Sequence, residues 1–286
     1  MGEHQVSFIL KGVSAPEKDM MCDKNLLIRR HGEFDDEAEV YMRITEEEAK
    51  DQGAIDKPFL RKLDQIIELY GLETMMYVHS PRGWSWGPIT EGVPFGQLRT
   101  GQLIIDIKPF YTPERVKNLC SAFDFAVRKR ETIKQVFEDN SKSFIRHGLE
   151  YFHMALDEHT REKKIIDLFV ALESLFSKDQ ELRFRISLRA SSLLGSIGRD
   201  RTKVFGCIYD LYNKRSRVVH GVAEVDLSDD QISDLERYIR DCIRILIHLD
   251  MGKDDIIEKL DASLYDDGAK LELQKLATEA YGKWKT

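Results

Sequence analysis

The stretch Leu211-Tyr212-Asn213-Lys214-Arg215-Ser216-Arg217-Val218-Val219-His220-Gly221 sets how the chain is read. Basic, polar and apolar positions alternate at helical spacing, and Gly221 stands where a helix stops. Ser216 and His220 are four apart, so they lie about 40° from each other on a helix surface, with Asn213 one turn earlier on the same face. The hydroxyl can reach the imidazole. Arg215 precedes His220 by five positions, about 140° around the helix, so a straight helix does not aim both at one phosphate. Either the helix unwinds near Gly221 or a second subunit closes the site.

Outward from this segment, no strand pattern interrupts the chain after Pro109. The periodicity predicts helices at about 113–138, 141–158, 160–177, 182–196, 199–219, 228–250, 253–264 and 269–281. Thr112-Pro113-Glu114 caps the first, and Ser228-Asp229-Asp230 opens the sixth with a cap and acids at its positive end. Upstream the patterns are short and mixed. Gln5 to Leu10, Asn25 to Arg30, Glu39 to Ile44, Thr74 to His79 and Gln102 to Ile107 read as strands. Thr45 to Glu48 reads as a capping box, and Pro58 to Tyr70 as a helix stopped by Gly71. The loop-like Gly83-Trp84-Ser85-Trp86-Gly87-Pro88 brings two indoles close together, either to stack on a base or to fill a core. The expected fold class is α+β: a mixed α+β domain over 1–110, a connecting helix over 111–140, an all-α bundle over 141–250 and a helical appendage over 251–286.

At 286 residues with 42% hydrophobic and 33% charged content, the chain has the composition of a globular protein and can fill two cores. Its apolar runs fall far short of the roughly 20 residues that cross a bilayer, and a cytoplasmic location without membrane contact is expected. Four scattered cysteines lack zinc or redox spacing and suit reduced, buried thiols. No phosphate loop, GxGxxG or HExxH is present. His147, His153 and His159 are each rotated by about 240° from the last, so they do not converge on a metal. No metal or cofactor is expected. The net charge of −7 hides an uneven distribution: Glu181 to His220 holds nine basic residues against three acids, a net of +6 that leaves −13 on the rest. Such an island either focuses a phosphate-bearing ligand or forms a solvated helix face.

Three blocks carry a family resemblance. They are Ile165-Ile166-Asp167-Leu168-Phe169-Val170-Ala171-Leu172-Glu173-Ser174-Leu175-Phe176, then Arg183 to Gly195, then Tyr212 to Gly221 with its Arg-Ser-x-Val-Val-His-Gly core. In this order and spacing they resemble the HEPN superfamily, whose signature is RxxxxH, and its ApeA-like branch in particular. The resemblance covers roughly residues 140 to 250. It implies a helical bundle that dimerises so that two motifs face each other, in a family with many metal-independent endoribonucleases. Arg215 and His220 take the two signature positions, and Ser216 occupies the polar slot where many active members have Asn, Asp or His.

The residue types suit that chemistry. RNA carries its own nucleophile, so cleavage needs a base, an acid and a cation on the crowded phosphate. Histidine, titrating near 6.5, serves as base or acid, and arginine meets phosphate oxygens as a planar fork. Arg215, His220 and Ser216 are therefore the expected catalytic residues. Arg189, Lys214, Arg217 and Asn213 are expected RNA contacts, with Glu173 in support. The expected partners are RNA and a second copy of the chain, with a protein or nucleotide trigger at the amino-terminal domain. The rival expectation is a non-catalytic module that binds nucleotide or RNA or serves for dimerisation.

Overall fold

A computed structural model describes the backbone of five strands, scattered helical positions at 65, 68, 69, 72, 125, 126 and 128–130, and residues 132–178, 182–221 and 225–285. The chain divides into two compact units, Met1–Glu131 and Thr132–Thr286. This division lies beyond the boundary expected near residue 110.

In the first unit, strands β1 (Glu3–Lys11), β2 (Met20–Asp23), β3 (Leu26–Arg30), β4 (Glu37–Thr45) and β5 (Ser85–Pro88) form one antiparallel sheet in the order β2-β3-β4-β1-β5. The β1–β4 pairing sets Phe8 opposite Val40, and β1–β5 sets Val6 opposite Trp86. Three strands fall where alternation placed them. The short β2 was not expected, and the segment read as a loop around Trp86 pairs as β5. Thr45 ends β4. The expected strands at 74–79 and 102–107, the helix after Thr45 and most of the helix from 113 lie outside the described residues.

The second unit is all helix among its described residues. The connecting helix breaks at Ile133, after which come α1 (Lys134–Glu138), a 3-10 turn (Asn140–Lys142), α2 (Ser143–Asp157) and α3 (Arg161–Phe176). Then follow α4 (Leu182–Gly195), α5 (Arg201–Val219), α6 (Asp229–Ile247), α7 (Lys253–Ala262) and α8 (Asp267–Lys285). Among these described residues, no helix is long and apolar enough to cross a membrane. Helix α6 is the hub. Its Leu235, Ile239, Cys242, Ile243 and Leu246 are buried, and it touches α2, α3, α4, α5 and α8. Such all-round burial late in the helix explains its apolar run, while Ser228 and Gln231 close a capping box at its start.

Two connections fix the site's helices. Helix α4 ends in a Schellman motif: Arg199 N–H donates to the Leu194 carbonyl and Gly198 N–H to the Gly195 carbonyl, with Gly198 at φ +86°. A side chain at that left-handed position would be strained. The helices of residues 251–285, expected as an appendage, pack against the bundle through buried Ile256, Leu260, Leu273 and Ala277. Lys142 Nζ donates to the Leu249 and Met251 carbonyls at 2.9 and 2.7 Å, and buried Trp284 of α8 lies under Arg244 and edge-on to His248 of the α6 end. Asp261 of α7 forms a two-pronged pair with Arg189 of α4, at 2.9 and 2.7 Å.

Candidate nucleic-acid interface

Helix α5 carries the motif, and its helical spacing is uninterrupted from Asp200, whose carboxylate caps it by accepting from Lys203 N–H, to Val219. His220 is the C-cap, with backbone near φ −84°, ψ 9°, and Gly221 at φ +74° turns the chain away. The helix does not unwind ahead of the histidine. Arg215 and His220 accordingly leave α5 in different directions: Arg215 is half-buried against α3, whereas His220 is exposed.

Arg215 lies 3.7 Å from Glu173 of α3, and its guanidinium sits over the Tyr212 ring at 5.6 Å. Tyr212 donates its hydroxyl to the same Glu173 carboxylate at 3.0 Å and packs edge-on against Phe169. Burial, reinforced by the negative Glu173, holds the Tyr212 phenol above its ordinary value, so it remains a hydrogen-bond donor. Glu173 therefore anchors both the cation and the phenol, and the pairing could be argued only from charge in the sequence because 42 positions separate Glu173 from Arg215.

On the outer side of α5, Tyr209, Tyr212, Asn213 and Ser216 line an open cleft of about 750 Å³ together with Leu182, Arg183 and Phe184 of α4. The α5 positions are spaced by three and four, one stripe that the next helical turn extends to His220. Arg183 lies 4.4 Å over the Tyr209 ring and donates to Asn213 Oδ1. Phe205 stacks on Tyr209 and meets Phe184 edge-on, and Phe184 is 49% exposed. The cleft thus joins a positioned cation to aromatic surface, the pairing that single-stranded nucleic acid exploits.

Four expected residues come together here: Asn213 and Ser216 on the cleft, and Arg215 with Glu173 just behind it. Arg217 is exposed on the same last turns of α5. Two expected RNA contacts are corrected. Arg189 is 2% exposed, and its donors go to Asp261 and to the Phe176 carbonyl at 2.8 Å, so it braces the core. Lys214 donates to the Asp226 carbonyl and to Gln231 Oε1, tying α5 to the start of α6. Arg183, Phe184, Tyr209 and Tyr212 were not singled out from sequence. The Tyr209, Tyr212, Ser216 spacing was the available signal for the two tyrosines. Among the described residues, no three His, Cys, Asp or Glu side chains are grouped to hold a metal. No protein-family model, curated protein or solved structure matches the chain.

Proposed function

We propose that the second unit is a metal-independent endoribonuclease of the HEPN type, in which Arg215, His220 and Ser216 act on RNA held by the α4–α5 cleft. The observation that carries this reading is the single stripe on α5. Cleft residues Tyr209, Asn213 and Ser216 lead along it to an exposed histidine, beside an arginine poised on Glu173. In the reaction the base removes the 2′-OH proton, the 2′-oxygen forms its bond to phosphorus, and the bond to the 5′-oxygen breaks as that oxygen takes a proton. The products are a 2′,3′-cyclic phosphate and a 5′-hydroxyl. Because Arg215 and His220 diverge on one straight helix, the composite site is completed by the same residues of a second copy, a homodimer through this unit. Asn213 and Arg217 contact the phosphate chain. The first unit is read as an α+β domain that senses a protein or nucleotide trigger, and the whole as a cytoplasmic defence or toxin effector.

The Glu173 pairing favours one alternative, a non-catalytic RNA- or nucleotide-binding or dimerisation module, because it partly neutralises the arginine meant for phosphate. The discriminating experiment is cleavage of a labelled RNA in excess EDTA by the wild type, Arg215→Ala and His220→Ala. Cleavage that survives EDTA, leaves a cyclic phosphate and disappears in both variants supports the nuclease. Efficient cutting of a strand with 2′-deoxy at the scissile position, or activity restored only by magnesium, overturns it.

A further inference from the structure

We propose a second binding site, for the terminal phosphate of a small phosphorylated molecule, at the opposite end of the α4–α5 hairpin from the cleft. A half-enclosed pocket of about 250 Å³ lies between the α4 end, the α5 start and helices α7 and α8. It shares no residue with the cleft. Along α4, Gly195 stands about 18 Å beyond Arg183.

Three cations line the pocket, Arg199, Arg201 and Lys270, and no carboxylate does. Arg199 is fixed by the Schellman turn and by its hydrogen bond to Asp241, a carboxylate with no exposed surface. Arg201 and Lys270 have no carboxylate within ion-pair distance among the described residues. The second observation is a hydroxyl. Ser192 lines the pocket at 5% exposure, and its buried Oγ has no hydrogen-bond partner. Ser196 and Ser263, also in the wall, are different, since each donates to a backbone carbonyl. An unpaired buried hydroxyl is costly unless something pairs with it, and beside three cations the fitting partner is an anion that accepts. At the start of α5, Asp200 already accepts from the Lys203 amide, so the proposal rests on the side chains and not on the helix terminus.

Planar guanidinium forks and a hydroxyl donor suit the oxygens of a phosphate, and the net of +2 that remains once Asp241 is set against Arg199 suits the dianion of a monoester better than the single charge of a diester. The volume admits a phosphate with a small attached group and not a nucleic-acid strand passing through. The pocket binds such a ligand whether or not the bundle cuts RNA.

The test uses the full chain, titrated calorimetrically at constant ionic strength with inorganic phosphate, adenosine 5′-monophosphate and dimethyl phosphate. The two monoanion-to-dianion probes are expected to bind saturably, and dimethyl phosphate at least tenfold more weakly. Arg201→Gln and Lys270→Gln should each weaken phosphate about tenfold, the loss of one charge-assisted hydrogen bond. Ser192→Ala should also weaken phosphate while leaving the thermal midpoint of the free protein unchanged or raised, since it removes an unsatisfied group. Absence of saturable phosphate binding at millimolar concentration, equal binding of the diester, or variants that bind like wild type would each overturn the site. So would a Ser192→Ala protein that is destabilised when free yet binds phosphate normally.

Discussion

Removing Asp261 is expected to destabilise the bundle more than removing the arginine it pairs with. Arg189 is 2% exposed, and its guanidinium is held by both Asp261 oxygens and by the Phe176 carbonyl. Asp261→Ala strands that charge in the core, and breaking a buried pair from one side costs about 3–5 kcal/mol. Arg189→Met keeps most of the packed volume and removes the charge. Asp261, whose side chain is 35% exposed, then rehydrates, and the remaining loss is the Phe176 carbonyl, about 1–3 kcal/mol. The double variant should resemble Arg189→Met and so be more stable than Asp261→Ala alone. For a unit of this size 1 kcal/mol moves the midpoint by about 2–4 °C, so Asp261→Ala should fall by roughly 6–20 °C. A double-mutant cycle by urea and thermal unfolding of the full chain reads each term. An Asp261→Ala midpoint within 2 °C of wild type, or a double variant no better than that single one, would refute the reasoning.

His220→Ala should leave thermal stability within about 0.5 kcal/mol of wild type, because the side chain is exposed; unfolding of the unit would instead make it a structural cap. Light-scattering mass at micromolar concentration should give at least a dimer, and a strict monomer with and without RNA would remove the composite site. Gly148→Ala should cost about 1–3 kcal/mol, since a Cβ there would meet Leu175 Cδ2 of the facing helix at 2.7 Å; urea unfolding with an unchanged slope checks it. Burial, with Asp234 and Asp210 adding to it, pushes the Cys207 thiol from 9.0 to about 11, and Tyr212 shifts in the same direction. Between those pH values the folded chain keeps protons that the unfolded chain sheds, so this stability is complete below pH 9 and is lost as pH rises toward 11. Unfolding followed from pH 8 to 11 should show a shallower loss in Cys207→Ser, and identical slopes would refute the assignment.

The helices of the second unit were legible because their apolar positions repeat with helical period and their caps are conventional: Ser228 and Gly221 stand within a residue or two of the observed ends. Asn213, Ser216 and His220 were legible as one face for the same reason. What stayed hidden depends on partners distant in sequence. Nothing near Arg189 distinguishes it from the exposed Arg183 six residues earlier, because the acid that permits its burial is 72 positions away. Lys214 likewise looks like part of a basic face until α6 brings Gln231 against it. Strands β2 and β5 have four residues each, too few for alternation to rise above chance.

The Arg189–Asp261 pair also bears on synthesis. At about 5–20 residues per second, a ribosome adds Asp261 roughly 4–14 s after Arg189. For that interval α4 carries an arginine destined for the interior with its counter-charge not yet made. The hairpin that bears the cleft therefore reaches its final packing only after α7 has been made.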